Sequence, residues 1–367
     1  MLEIKFRYPV YNPCVNTVDV AADWGDFDTT QCRDTALNQP FSIAAMRVFY
    51  DEPWIFGFDP VIAAVDVSEF DLVLLSDIEY YSQQQIQDWA VRKGIKKYVL
   101  ALGGLNNETL ADNVVYRPYW AKAYLRNKQP AQLNCTVRPY MFDCLLGARR
   151  PHRDYAMLAL TQTGLLDQNI VTYRDCFPGE VIDSSSELFA NLFSKVKLNW
   201  PYISPNLDPA WEISDQVTNQ ANLVSPTKIF QQTNYSIITE TLGTGDTFFL
   251  SEKTTKYMHA YRPFIVFGPR HHLRRLNDMG FQTFSTAIDE SYDDEPIDAV
   301  RFQKAMLQVI RLAYFEPVES VYNKIQFALE NNAAHIARIV AQKRQEMELL
   351  LGQHISYLHL KQEQSRD

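Results

Sequence analysis

Apolar residues along this chain fall into short continuous runs that end in acids, glycines or prolines, separated by stretches whose apolar positions recur at threes and fours. The first forty-odd residues have weak periodicity, with Pro, Asn and Asp scattered through them, and predict short strands and loops. Runs 45–50 and 70–75 predict strands, the first followed by Asp51, Glu52 and Pro53, the second by Ser76, Asp77 and Glu79. Residues 82–93 carry Ile86, Trp89 and Ala90 at helical spacing and stop at Gly94, so they predict a helix. A third buried strand, 97–102, then reaches Gly103 and Gly104. Strand, helix and strand at this spacing form a βαβ unit, which implies a parallel sheet with helices on its faces.

The polar stretch 127–134 reads as a linker to a second alternating series. An apolar segment, 140–146, leads through a basic loop, 147–153, into a helix over 154–163 that ends at Gly164; residues 169–173 form the next strand. The passage 199–226 is rich in Pro, Asn and Asp and has little regular pattern, a length of loop more often functional than idle. Strand 236–239, helix 252–260, strand 263–267 and helix 271–279 restore the alternation. From 318 to about 360 apolar residues from Val321 to Leu358 keep helical spacing, with no Pro or Gly before Gly352; this long helix packs on the domains or offers a pairing surface, as for a homodimer. The expected organisation is α/β, with domains at 1–134 and 135–316 and a helical segment at 317–367.

A length of 367 residues fits roughly two domains, and 46% apolar with 22% charged residues excludes a disordered or low-complexity chain. No apolar run approaches the roughly 18 residues of a membrane span, and the N-terminus lacks the apolar core and cleavage site of a signal peptide, so a cytoplasmic location is expected. A net charge of -9 disfavours a protein that coats nucleic acid through its overall field, though local basic clusters still act over short range. Cys14, Cys32, Cys135, Cys144 and Cys176 are scattered and lack zinc-ligand spacing, so free thiols are expected.

In open α/β sheets ligands bind beyond the carboxyl ends of the strands, where helix N-termini attract anions. Two segments fall there. Arg149, Arg150 and Arg153 lie between a strand and a helix start, where guanidinium groups converge readily on phosphate, although such loops are also simply solvated. The second comprises Glu240, then Ser251, Glu252 and Lys253, with Ser251 placed to cap a helix whose first turn carries the other two. There a carboxylate accepts ribose hydroxyls and an ammonium meets phosphate; an ordinary cap with first-turn charges is the plainer alternative. No GxxxxGK[ST] or GxGxxG motif is present, which argues against P-loop NTPases and dinucleotide oxidoreductases.

Ser251-Glu252-Lys253-Thr254, a helix, then Arg262-Pro263-Phe264-Ile265-Val266-Phe267-Gly268 resembles the nucleotide-sugar motif of GT-B glycosyltransferases of the α1,3-fucosyltransferase type. A set of glycosyltransferase-like bacteriophage proteins is similar over a longer stretch: residues 149–153, 165–171, and 276–284 through 289–293, so the resemblance covers about 139–300. It implies two Rossmann-like doubly wound domains facing a cleft, and a transferase that takes its sugar from a UDP-, GDP- or ADP-sugar co-substrate with no other cofactor. By the resemblance Glu252 binds the ribose, while Lys253 and an arginine from 149–153 neutralise the diphosphate leaving group, as fixed cations do without a metal. No DxD motif stands at a strand end, and Asp293-Asp294-Glu295 reads as a loop charge run, so no metal is expected.

An inverting transfer needs a carboxylate to take the acceptor proton, and the candidates are Asp51, Glu52, Asp77 and Glu79, with Glu52 and Asp77 favoured; a retaining one does not. Two acceptors stay open, a saccharide and a hydroxymethylated pyrimidine in DNA. For the latter, Arg262, Arg270, His271, His272, Arg274 and Arg275, with Arg117, Lys122, Arg126 and Lys128, would track a backbone, although solvated helix faces explain them too. A catalytically silent binding or assembly protein on the same fold is the alternative of a different class.

Overall fold

The structure is a computed structural model that describes residues 43–47, 72–76, 82–92, 94–106, 109–118, 121, 125, 137–147, 149–173, 202–208 and 226–364. The chain divides into two compact units, Met1–Tyr119 with Val340–Asp367, and Trp120–Ile339. Of the sequence expectations, the N-terminal forty residues, the 127–134 stretch and most of the 199–226 passage lie outside the described residues, as do Glu52 and Asp77.

The first unit holds strands β1 (Ile43–Arg47), β2 (Leu72–Ser76), β3 (Tyr98–Leu102), β4 (Gly104–Leu105) and β5 (Val114–Tyr116), with helix α1 (Gln83–Arg92) between β2 and β3. Four strands form one parallel sheet in the order β1-β2-β3-β5. The expected βαβ unit is β2–α1–β3, whose strands are direct neighbours. Helix α1 buries Ile86 and Ala90 against Leu75, Leu100, Leu102 and Val114, the stripe its spacing encodes. Strand β5 is an element the apolar pattern did not single out; three residues are too few for a period to register.

The second unit contains β6 (Tyr140–Leu146), α2 (Pro151–Gln162), β7 (Ile170–Tyr173), β8 (Tyr202–Ile203), α3 (Thr227–Phe230), β9 (Thr233–Thr239), β10 (Phe248–Phe249), α4 (Glu252–His259), β11 (Phe264–Phe267), α5 (His272–Asp278), a 3-10 turn (Ser291–Asp294) and α6 (Asp298–Tyr314). Helix α7 (Val318–Gln364) begins here, and its residues from Val340 belong to the first unit. The sheet order is β11-β9-β6-β7-β8, parallel except for the edge strand β8. All residues of β7, β9 and β11 are buried, as expected of strands covered on both faces.

Register places Asp143, Ser236 and Phe264 on one face and Phe267 on the other. Tyr257 of α4 reaches Asp143 on the first face, while Tyr155 of α2 and Phe302 of α6 pack on Phe267 on the second. The sheet is therefore doubly wound. Helix α6 corrects the sequence expectation, which passed from helix 271–279 directly to the long C-terminal helix. Its buried Phe302, Ala305, Met306, Val309 and Leu312 do recur at helical spacing.

Candidate functional site

From β6 the chain crosses through α2 to β7 on one side, and β9 then pairs on the other side of β6. This reversal is a topological switch point, the position at the carboxyl ends of the strands where open α/β sheets commonly bind ligands. The segment after β6 carries Arg149, Arg150 and the start of α2; the segment after β9 begins at Glu240. The two segments meet. His152 Nε2 lies 2.7 Å from the Glu240 carbonyl oxygen and Arg153 donates to the same oxygen at 3.5 Å.

Arg150 is the N-cap residue of α2, its backbone N–H donating to the Tyr173 hydroxyl at 3.3 Å. Helix α2 thus starts at Pro151, three residues earlier than the apolar pattern implied, because proline suits the first helical turn. Among the described residues no hydrogen bond or ion pair holds the Arg150 guanidinium. Arg149 turns toward Asp154, its Nε 3.0 Å from Oδ2, and the Tyr173 hydroxyl donates to Oδ1 of the same acid at 2.7 Å. Arg153 is only 3% exposed, and burial together with Arg150 lowers its pKa below the ordinary arginine value, while Tyr173, Glu240 and Glu252 oppose the shift.

His152 adds no charge to this basic loop. Burial, reinforced by Arg153, pushes its imidazole down to about 3, so the ring is neutral and the Glu240 carbonyl assigns the proton to Nε2. Its ring fills the space beside Gly243, which explains a glycine there.

Helix α4 supplies the rest. Ser251 caps it, its hydroxyl accepting from the Lys253 N–H at 3.0 Å. Lys253 Nζ donates to Thr241 Oγ1 at 3.1 Å and to Glu252 Oε1 at 2.8 Å. Glu252 is 5% exposed; burial opposes its ionisation, but Lys253 and Lys256 hold its carboxyl below the usual carboxylate range. Glu240 is buried, and both its oxygens are engaged by the protein: the Thr254 hydroxyl donates to Oε1 and the Thr241 N–H to Oε2 at 3.1 Å. Glu240 thus acts as a hub between α2, α4 and its own loop. Arg149, Arg150, Arg153, Glu240, Ser251, Glu252 and Lys253 all belong to the second unit; Arg150, Arg153 and Lys253 lie near enough to His152, and Glu240 and Glu252 to Arg153, to shift their protonation.

Thr254 falls within the sequence motif and Thr241 directly after Glu240, but the sequence marks neither as a partner of Glu240 or Lys253, and Arg301 lies outside every motif. Arg301 of α6 is 2% exposed and joins the loops after β9 and β11, donating to the carbonyls of Gly243 at 3.1 Å and Gly268 at 3.2 Å. An arginine on a helix reads as a surface residue until its carbonyl partners are known.

The basic set around 262–275 is not one surface: it offers neither a continuous backbone-tracking face nor, at Arg262 and His272, the solvated helix face that was the other explanation. Arg262 is 2% exposed and paired with Asp143 at 2.9 Å, and His272 is buried beneath Phe248. Arg274 pairs with Asp294 at 2.6 Å, and Arg270 donates to the Asp294 carbonyl. Arg117 is also buried, and Lys122, Arg126 and Lys128 lie outside the described residues. The run Asp293-Asp294-Glu295 is likewise structured: Asp293 accepts from the N–H groups of Leu273 and Arg274 at the start of α5, and Glu295 pairs with Lys304.

Among the described residues no group of three His, Cys, Asp or Glu side chains is placed to hold a metal ion, and no helix is long and apolar enough to cross a membrane. Cys144 is buried and burial raises its thiol well above the usual range. No protein-family model matches the chain, and no curated protein matches it. Among solved structures it is similar to T4 phage BGT in complex with UDP and Mn2+, with 11% identity over 86% of this chain and 82% of that one and a TM-score of 0.36.

Proposed function

We propose that this chain is a glycosyltransferase of the GT-B type, moving a sugar from a nucleotide-activated donor to a hydroxyl acceptor. The observation that carries this reading is that two cationic segments of the second unit meet the same loop: Arg153, beside the α2 N-cap residue Arg150, donates to the Glu240 carbonyl, and Lys253 of α4 donates to Thr241. Departure of a nucleoside diphosphate develops negative charge on the leaving oxygens, and cations already fixed in place stabilise it without reorganising. Arg150 and Lys253 meet the diphosphate. Arg153, deeper and against the Glu240 carbonyl, sets the field beneath them. Glu252, held ionised by its lysine neighbours, accepts the ribose hydroxyls. The resemblance of 251–268 to the fucosyltransferase motif supports the same assignment.

No step requires a metal in this scheme. Glu52 and Asp77 are the proposed sources of the catalytic base for an inverting transfer. A saccharide is the favoured acceptor over a hydroxymethylated DNA base, because Arg262 and His272 are buried and Arg274 is paired within the fold.

Calorimetry with UDP, GDP and ADP tests donor binding. Saturable binding to one of them is expected, weakened in Arg150→Ala and abolished in Lys253→Ala. Incubation with a panel of nucleotide sugars, offered free saccharides or hydroxymethylcytosine DNA and read by mass spectrometry, then tests transfer. Binding of none of the three nucleotides overturns the reading in favour of a silent assembly protein; mass gained on DNA replaces the favoured acceptor.

A further inference from the structure

Lys256 lies one turn beyond Glu252 and Lys253 on α4, and helical side chains tilt back toward the preceding turn, so its stem runs toward that pair. It is half-buried. The charged groups around it come from three elements: Glu252 and Lys253 on α4 itself, Asp143 on β6, and Glu240 just after β9. Each of those carboxylates already has a partner. Asp143 holds Arg262, Glu252 holds Lys253, and Glu240 takes Thr254 and Thr241. Among the described residues no hydrogen bond or ion pair engages the Lys256 amine.

We propose, building on the reading of these segments as a diphosphate site, that Lys256 is a further cation of that site and takes up one proton from solvent when a nucleoside diphosphate enters. An ammonium partly withdrawn from water, whose neighbouring carboxylates are each engaged elsewhere, is disfavoured, and an incoming dianion favours its charged form. Burial, aided by Lys253, pushes the Lys256 amine down to about 8, against the pull of Glu252, Asp143 and Glu240. Above that pH the amine is therefore largely neutral, and a bound anion raises its affinity for a proton. Other groups do not imitate the effect. His152 and His272 are both lowered from the ordinary imidazole value and stay neutral above pH 7, and a terminal phosphate completes its ionisation near about 6.

The test is calorimetric titration of UDP, GDP and ADP into the full chain at pH 8.5, in two buffers of different ionisation enthalpy. For the nucleotide that binds, the proposal expects a buffer-dependent heat that reports uptake of most of a proton, much less at pH 7.0. Affinity should fall about three- to tenfold between pH 7.0 and 9.5, of the order expected when one charge is lost. Lys256→Met should lose the uptake and flatten that pH dependence. Lys256→Arg should keep tight binding without uptake, since its guanidinium stays charged. Binding with no buffer-dependent heat, or uptake retained in Lys256→Met, overturns the role of Lys256 and leaves the nucleotide site standing. Failure of all three nucleotides to bind overturns both.

Discussion

Gly243 lies so close to the imidazole of His152 that a Cβ at that position would stand 2.2 Å from both Cγ and Nδ1. The contact locks the loop after β9 onto the first turn of α2, the two segments that bring the cations together. His152 is held in turn by the Glu240 carbonyl, so the ring has no easy retreat.

Gly243→Ala is therefore expected to push the loop away and carry Thr241, a partner of Lys253, with it. A stability loss of about 1–3 kcal/mol is the usual scale for such overpacking. Urea unfolding measures it, and nucleotide titration should show weaker binding. Unchanged stability and affinity would mean the loop is not locked here.

The neutrality of His152 has a pH signature. Its folded value is about 3 against 6.5 for a free imidazole, so as the pH falls the unfolded chain protonates first. The contribution of this residue to stability is complete above pH 6.5 and is lost as the pH falls from 6.5 toward 3, by about 1.4 kcal/mol per unit. In unfolding experiments at pH 7 and pH 5, the gap between wild type and His152→Asn should narrow at the lower pH. A constant gap would refute a neutral His152.

Arg301 joins the carbonyls of Gly243, Gly268 and Glu295 from inside the fold. Arg301→Met removes the donors and strands those acceptors, at a cost of about 3–5 kcal/mol. Arg301→Lys should recover only part of the loss, because an ammonium cannot reproduce the planar fork. Thermal denaturation of the two variants checks the order.

Asp143 and Arg262 form the most buried ion pair among the described residues, at 0% and 2% side-chain exposure. Removing one partner alone leaves a charge in the interior, so Arg262→Met should cost about 3–5 kcal/mol. The double variant Asp143→Asn with Arg262→Met should cost less than the sum of its single changes, a coupling that a double-mutant cycle reads directly. Additive losses would show that the pair does not act as a unit.

Much of the second unit was legible along the chain. Residues 140–146 read as a strand and are β6, and the segment after Ser251 reads as a capped helix and is α4. Both carry local signals: an unbroken apolar run, and a serine whose hydroxyl reaches an N–H two residues on. Helix α6 carried a helical stripe as well, and Arg301 stands four residues before Ala305 on that buried face, but an arginine there adds no apolar signal to the stripe. The 262–275 segment misled more deeply. Arg262 opens a run of surface-like basic residues, yet its partner Asp143 lies 119 positions earlier in sequence.

The order of apolar runs, glycine stops and a capping serine determined the alternating α/β pattern and set the cationic residues near strand ends, because such preferences act within a few residues. Only the tertiary structure decided which charges meet. Strand order set Glu240 against His152, 88 positions away, and burial then made that imidazole neutral and lowered the Lys256 amine against the pull of three carboxylates. Coulomb energy and desolvation depend on distance and surroundings in space, and neither is encoded by spacing along a chain.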